Sequence, residues 1–275
     1  MLGRFLNPKL HRLIRFPPAA RGFLSPTEIS FLFVLCLLIG CALFLPPIAQ
    51  DQNYHGFADQ RPWGVVPNAA DTFSNSSFLV AGLWGLWRLA GYRGHASNPL
   101  ILRLVSLLLI GVLLTGLASM FYHLAPNDSR LAIDRLAMSL SFAAALGLLV
   151  ADRVSVRFAV GVVAGFLFLG PLTVWVWSAS GNLTPYAVLQ FGGVAMIAVF
   201  CWRPSLHIRG LNFSGLLLFY GLAKLAELLD SRIFELSLAL VSGHTLKHVF
   251  AAIGIVVLVL PLLSRPRPQA ESVNT

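Results

Sequence analysis

Two histidines near the C-terminal end of the chain have the spacing of a helical metal-binding pair. His244 and His248 stand at i and i+4 in the stretch HTLKH, which places both rings on one helix face, about 6 Å apart along the axis. Such a pair can bind a single metal ion. A third histidine, His123, ends an earlier apolar stretch, with Ser119 one turn before it. Asp134 lies near the start of the apolar stretch that follows.

These five residues suit hydrolysis assisted by a metal ion. Three histidines and one water give the open tetrahedral coordination of catalytic zinc, which lowers the pKa of its water toward roughly 7. Asp134 can accept the proton of that water, and Ser119 can donate a hydrogen bond to the oxyanion formed when a carbonyl is attacked. The competing interpretation is structural, because histidines between membrane helices often only hydrogen-bond to their neighbours.

The stretches that carry these residues are apolar enough to lie in a membrane. Hydrophobic residues make up 57% of the 275 positions and charged residues 11%, and the mean hydropathy is +0.77, far from the usage of a soluble domain. A spanning helix needs about 20 predominantly apolar residues. The sequence therefore predicts an all-α integral membrane protein with eight transmembrane helices, at residues 29–48, 72–90, 100–123, 131–151, 158–177, 187–202, 213–229 and 244–263.

Basic residues are distributed unevenly between the two sides of this predicted bundle. One side has 14 of the 20 lysines and arginines, namely Arg4, Lys9, Arg12, Arg15, Arg21, Arg88, Arg93, Arg103, Arg153, Arg157, Arg203, Arg209, Arg265 and Arg267. The other side has only Arg61, Arg130 and Arg232, and the remaining three, Arg135, Lys224 and Lys247, lie within predicted helices. Because short loops rich in basic residues stay in the cytoplasm, both termini are predicted to be cytoplasmic.

This orientation brings the polar residues of four helices to one face of the membrane. The helices that contain Asp71, His123, Asp134 and His244 all have these residues near their extracytoplasmic ends. Ionisable residues within a membrane usually line a cavity or pair with each other. A purely structural role for the histidines does not predict a common depth, so the convergence favours a metal site.

The N-terminal 26 residues combine arginines and a lysine with bulky apolar residues, a pattern suited to an anionic membrane surface. A cleaved signal peptide is disfavoured, because the apolar stretch that follows is longer than a typical signal core. The formal net charge of +9 does not indicate nucleic acid as a partner, since the basic residues are scattered between apolar stretches and form no aromatic-interleaved basic face.

The arrangement of these residues resembles that of the alkaline ceramidases, which belong to a larger superfamily of seven-span membrane hydrolases with the adiponectin-receptor-like and haemolysin III proteins. The similarity covers about residues 51–263. It consists of a serine shortly before a histidine (Ser119 and His123), an aspartate early in the next helix (Asp134) and HxxxH in the last helix (His244 and His248). The stretch Thr72-Phe-Ser-Asn75 is similar to the start of the first core helix in the ceramidase branch.

The resemblance implies a seven-helix hydrolase core with one extra N-terminal helix. It assigns residues 1–26 to a basic cytoplasmic segment, 27–49 to the extra helix, 50–264 to the catalytic core and 265–275 to a cytoplasmic tail. It also implies that His123, His244 and His248 bind Zn²⁺, with Asp134 and Ser119 as catalytic residues. The implied substrate is a ceramide-like membrane lipid, cleaved at its N-acyl amide, in a bacterial inner membrane or an endomembrane.

The loop before the first core helix is similar to the part of eukaryotic ceramidases that holds calcium. The candidate Ca²⁺ ligands are Asp51, Asn53, Asp59 and Asp71, since calcium takes oxygen ligands. The second glutamate of the family is missing from the stretch Pro67-Asn-Ala-Ala-Asp71. The alternative is that these acidic residues are solvated, or that Asp71 caps the helix it precedes.

Three further ionisable residues lie within predicted helices. Lys224 and Glu227, at i and i+3, are expected to form a structural ion-pair network. Lys247 is expected to face away from the metal and to meet a lipid headgroup or an acidic residue. Two other functions stay open, a receptor-like member of the same superfamily and a transporter of metal or solute. A transporter should have polar residues along a path to both membrane faces, whereas the cytoplasmic halves of these helices are almost wholly apolar.

Overall fold

The computed structural model describes residues 24–92, 99–205 and 211–263 of the chain. Helices dominate these residues, and no strand is formed among them apart from one isolated bridge between Trp63 and Val66. The helices are α1 (Pro26–Phe44), α2 (Ala69–Ser74), α3 (Ser76–Ala90), α4 (Pro99–Leu124), α5 (Asp128–Arg153), α6 (Val156–Ser180), α7 (Thr184–Phe200), α8 (Phe213–Leu228), α9 (Asp230–Leu236) and α10 (Gly243–Leu263). A short 3-10 turn covers Gln52–His55.

Each of the eight apolar stretches corresponds to helix, and five of these helices are long and apolar enough to cross a bilayer. The five are α1, α4, α5, α6 and α10. The other three stretches form shorter helices, namely the α2–α3 pair, α7 and α8. The all-α membrane class is therefore supported by length and composition, and these criteria indicate a multi-pass protein.

The second predicted span is not continuous, because the helix is interrupted at Asn75. The Asn75 side-chain amide donates to the carbonyl of Asp71 at 2.9 Å, and the Ser74 hydroxyl donates to the same carbonyl, also at 2.9 Å. Side chains of this type compete with the backbone for the i−4 carbonyl. The backbone N–H of Asn75 donates to the Phe73 carbonyl instead of to the Asp71 carbonyl. Helix α2 therefore ends at Ser74, and α3 starts at Ser76.

The helices from α3 to α10 close into a ring in chain order. Contacts join α3 to α4, α4 to α5, α5 to α6, α6 to α7 and α7 to α8, and α10 closes the ring between α8 and α3. Small residues allow close approach within it, as is usual between membrane helices. At Gly111, for example, an added Cβ would lie 2.8 Å from the Ser141 hydroxyl, and at Gly170 it would lie 2.6 Å from the Cβ of Ser139.

Helix α1 packs against the outside of this ring, on α7. Ser25 and Glu28 form a capping box at its start, and the Glu28 carboxylate also binds the Arg157 side chain of α6 at 2.8 Å. Phe31 packs edge-on against Phe200 with ring centroids 5.6 Å apart. Helix α1 is therefore held against the bundle by contacts with α6 and α7.

Large apolar side chains remain exposed around the bundle, including Phe33, Trp87, Phe168 and Trp175, each at least 65% exposed. Exposed apolar surface of this kind marks an interface with lipid or with another protein. The predicted basic N-terminal segment and the C-terminal tail lie almost wholly outside the described residues.

Candidate metal centre

Three buried histidines from two helices meet at one point. His123 comes from the end of α4, and His244 and His248 come from the first turns of α10. Their ring centroids form a nearly equilateral triangle, with sides of 5.0, 5.1 and 4.9 Å. One nitrogen from each ring lies within 4.8 Å of the others, so a single metal ion could be held between them. All three side chains are nearly inaccessible to water.

The start of α10 is held in place from the α8–α9 junction. Gly243 has no room for a Cβ, because that atom would overlap the Ala226 carbonyl of α8. The Asp230 carboxylate accepts the His244 amide N–H at 2.7 Å and the Ala58 amide N–H at 3.0 Å. Asp230 thereby ties the first histidine of the pair to the loop before α2.

The α2 segment supports the histidines from the other side. The Asp71 carboxylate accepts hydrogen bonds from Thr245 at 2.6 Å and from Ser242 at 3.1 Å. The Ser74 hydroxyl lies 2.8 Å from His248 Nδ1. Because that hydroxyl already donates to the Asp71 carbonyl, it accepts from Nδ1–H and leaves His248 Nε2 as the free electron-pair donor. The Asn68 amide binds the His123 carbonyl at 2.9 Å.

Ser74→Ala is therefore expected to weaken metal binding roughly 10- to 100-fold, the usual cost of losing a partner that orients a histidine ligand. Metal titration of the purified protein with a competing chelator measures this change. Ser77→Ala is the matched control, because its hydroxyl binds only backbone carbonyls, of Ser74 and His248. Equal metal affinity in wild type and Ser74→Ala would contradict the assigned tautomer.

Ser119 and Asp134 line a cavity of about 250 Å³ that reaches His248. Both side chains are buried, with exposures of 4% and 7%. One carboxylate oxygen of Asp134, Oδ1, has no hydrogen-bond partner among the described residues. The structure therefore places the predicted catalytic pair in one cavity with His248, one of the three predicted metal ligands.

Lys224, Glu227 and Lys247 form the expected ion-pair network beside this cavity. Both ammonium groups bind the Glu227 carboxylate, that of Lys247 at 3.1 Å. Lys247 meets an acidic residue, as predicted, but the prediction that it faces away from the metal site was wrong. Its Nζ lies 2.8 Å from His244 Nε2, because a long side chain can bend back over the preceding turn. If His244 Nε2 bound a metal ion, the Lys247 ammonium would lose this contact and would keep only its ion pair with Glu227.

The three aspartates among the four calcium candidates have other partners. Asp51 accepts the Asn53 amide N–H at 2.9 Å at the start of the 3-10 turn, and Asp59 binds the Arg61 guanidinium through both oxygens at 2.8 and 2.7 Å. This guanidinium holds the pKa of the Asp59 carboxyl below its usual range. The Asp71 carboxylate binds Ser242 and Thr245 at the start of α10. It therefore does not cap its own helix, although the sequence suggested that it would.

These carboxylates do not form a shared ligand group within residues 24–92, where all of them lie. Each of the three carboxylates accepts at least one hydrogen bond, and Asp71 Oδ2 alone among the described candidates is buried without a partner. A single free carboxylate oxygen is not the set of oxygen ligands that Ca²⁺ takes, so the structure gives no support to the Ca²⁺ site.

The loop before α2 contributes residues that the sequence did not reveal as part of the site. Phe57 is buried and its ring centroid lies 4.6 Å from that of His123 and 4.5 Å from that of His244, so it covers two of the three ligands. His55 Nδ1 lies 2.9 Å from the Tyr122 hydroxyl and Nε2 lies 3.1 Å from Asp128. The sequence of this loop has no motif or periodic pattern that would have predicted the contacts of Phe57 and His55 with residues distant in the chain.

Comparisons with protein families, with curated protein sequences and with solved structures give no match to this chain.

Proposed function

We propose that the protein is a zinc-dependent membrane amidohydrolase that cleaves the N-acyl amide of a ceramide-like lipid. The observation that carries this proposal is a group of three buried histidines within coordinating reach, one of which, His248, lines a cavity together with an aspartate and a serine. The resemblance to the alkaline ceramidases supports the same function, since each residue of the family pattern has its counterpart among these five.

The histidine group fits a zinc ion. Its ligands are nitrogen atoms, which suit Zn²⁺ in sites that also keep one open position. His123 Nδ1 is buried and has no hydrogen-bond partner among the described residues, and such an orphaned atom is usually explained by an unseen partner. Ser74 leaves His248 Nε2 free. When bound, zinc supplies Lewis-acid polarisation and lowers the pKa of a water.

The side chains of the cavity can carry out the proton transfers. Asp134 accepts a proton from the attacking water as the water oxygen bonds to the amide carbon. Ser119 donates a hydrogen bond to the carbonyl oxygen as negative charge develops on it. The C–N bond then breaks, and Asp134 returns the proton to the leaving nitrogen. One water and one amide thus give a fatty acid and a sphingoid-type amine.

A second cavity suits an acyl chain. It has a volume of about 150 Å³ and shares Phe78, Thr115, Met138, Tyr220 and Ala251 with the first. The rest of its lining is almost entirely apolar, from residues such as Leu108, Val112 and Ile197. An acyl chain buried there would leave the amide among the polar groups of the first cavity.

The same apolar lining argues against the transporter alternative, because a transported ion needs polar ligands along its whole path. The receptor-like alternative requires the same histidines but only residual hydrolysis. Incubating the purified protein with ceramides and other acyl lipids, with and without a zinc chelator, separates the enzyme from both alternatives. Chelator-sensitive release of fatty acid supports the proposal, and no turnover of any lipid contradicts it.

Seven helical units, counting α2–α3 as one, would span the membrane as the core, with α1 as an eighth. The basic-residue count then places His55 and Asn127 outside the cytoplasm. Single cysteines at the exposed positions Gln52 and Ser129, in an otherwise cysteine-free protein, are expected to react with an impermeant maleimide from the extracytoplasmic side. A cysteine at Thr275, which lies outside the described residues, should react only from the cytoplasm. The reverse pattern would contradict this topology.

A further inference from the structure

Arg135 is a buried cation with an unusual environment. It follows Asp134 on α5, is 7% exposed and lines the same cavity as Ser119 and His248. Its guanidinium carbon lies 4.1 Å from the ring centroid of Trp177 and 5.0 Å from that of Tyr186. Nη2 donates to Gln50 at 2.6 Å, whereas Nη1 has no hydrogen-bond partner among the described residues.

The two lysines of this cavity each bind a carboxylate, and Arg135 does not. Lys224 and Lys247 both bind Glu227. No carboxylate of the described chain lies within ion-pair distance of Arg135. Aromatic faces offset part of the cost of burying a guanidinium, but a buried charge normally has an anionic partner as well.

A second unsatisfied donor lies beside this guanidinium. The Tyr186 hydroxyl is buried in the wall of the same cavity and has no partner among the residues that the structure describes. Two unpartnered donors on residues that line one cavity, a guanidinium N–H and a phenol O–H, can both donate to a single anion, and arginine is the side chain best suited to planar, charge-assisted recognition of a carboxylate or phosphate.

The position of this pair fixes which end of a substrate it would meet. Arg135, Tyr186 and Gln50 line the polar cavity but not the apolar one. With the acyl chain in the apolar cavity and the amide at Ser119 and Asp134, the polar wall faces the amine portion of the molecule.

We propose that Arg135 and Tyr186 form a subsite for an anionic oxygen group, a carboxylate or a phosphate, on the amine side of the acyl amide. This narrows the lipid amide of the proposed function to one with an anionic amine portion, either an N-acyl amino acid or a phosphorylated N-acyl amine. The placement of this subsite on the amine side of the substrate rests on the proposed function. The binding of an anion by Arg135 and Tyr186 does not rest on it.

The test compares two probes of nearly equal size, N-lauroylglycine and N-lauroylethanolamine, of which only the first is an anion. Binding to the full-length protein in detergent is measured by thermal unfolding over a concentration series, with a zinc chelator present so that turnover does not consume the probes. The neutral probe controls for partition into micelles. N-lauroyl phosphoethanolamine distinguishes a phosphate from a carboxylate as the preferred group.

Wild type is expected to bind one of the anionic probes about 10- to 100-fold more tightly than the neutral one, as for a hydrogen bond to a charged group. Arg135→Gln should lose this preference while still binding the neutral probe. Tyr186→Phe should reduce the preference and retain the ring beside the guanidinium. Arg130→Gln is the control, because Arg130 lies on the same helix and instead contacts Phe121.

Equal affinity of wild type for all three probes would overturn the proposal. An equal loss of all three in Tyr186→Phe, a variant that removes one buried oxygen atom, would also overturn it, because that pattern indicates a structural role. If Arg135→Gln does not fold, Arg135→Lys replaces it, because lysine keeps the positive charge without the planar set of donors of a guanidinium. An unchanged preference for the anionic probe in both Arg135→Lys and Tyr186→Phe would reject the subsite. The proposed hydrolysis fails separately, by the absence of turnover for every probe when zinc is present.

Discussion

Purified wild-type protein is expected to contain about one zinc ion per chain, and His248→Ala is expected to lose it together with nearly all hydrolysis. The two remaining rings would then offer too few nitrogen ligands for a stable site, since structural and catalytic zinc sites use at least three protein ligands. The same loss is expected for His123→Ala and His244→Ala, because the three rings lie at almost equal separations. Elemental analysis after gel filtration gives the metal content of each variant.

His55→Ala provides the matched control for this series. His55 lies in the loop beside the site, where it contacts Tyr122 and Asp128, but it does not belong to the histidine group. Its removal should leave the zinc content unchanged. Full zinc retention in all three ligand variants would refute the metal centre, and a metal other than zinc in wild type would correct the proposed cofactor.

Asp134→Asn is expected to retain zinc and to lower turnover by about 10²- to 10⁴-fold, the usual contribution of general acid–base catalysis. The amide has the shape of the carboxylate but cannot accept the proton of the attacking water. Asp134 lies in the wall of the cavity, and its Oδ1 atom meets no hydrogen-bond donor of the described chain, so the substitution should disturb little else. Steady-state kinetics and metal analysis on the same preparation test both parts.

Ser119→Ala should likewise retain zinc, with a loss nearer 10²- to 10³-fold, typical of removing one donor to an oxyanion. Asp128→Asn is the control for the aspartate, because Asp128 lies on the same helix but is exposed and contacts Gln52 and His55. Loss of zinc from Asp134→Asn would make Asp134 a ligand or the support of one. Near-normal turnover in that variant, with zinc bound, would refute the proposed mechanism.

The amino-acid sequence by itself determined the helices and their contents. Eight apolar stretches became helix because the length and hydropathy of a stretch are local properties, and membrane helices satisfy their backbone hydrogen bonds within themselves. The i, i+4 spacing of His244 and His248 fixed their shared face in the same local way. The meeting of His123 with this pair followed from helix direction, since α4 ends and α10 begins at the same face of the predicted bundle.

Only the tertiary structure decided which side chains complete the site. Asp71 binds Ser242 and Thr245 across more than 170 residues of chain, and Phe57 covers two histidines from a loop that has no periodic pattern. Hydropathy also could not reveal that the helix is interrupted at Asn75. That interruption depends on the side chains of Ser74 and Asn75, which donate to the Asp71 carbonyl in place of the backbone N–H of Asn75. Arg135 was recognised in the sequence only as a basic residue within a helix. No carboxylate of the described residues forms an ion pair with Arg135. The sequence could not show this, because the packing between helices decides which charged side chains meet.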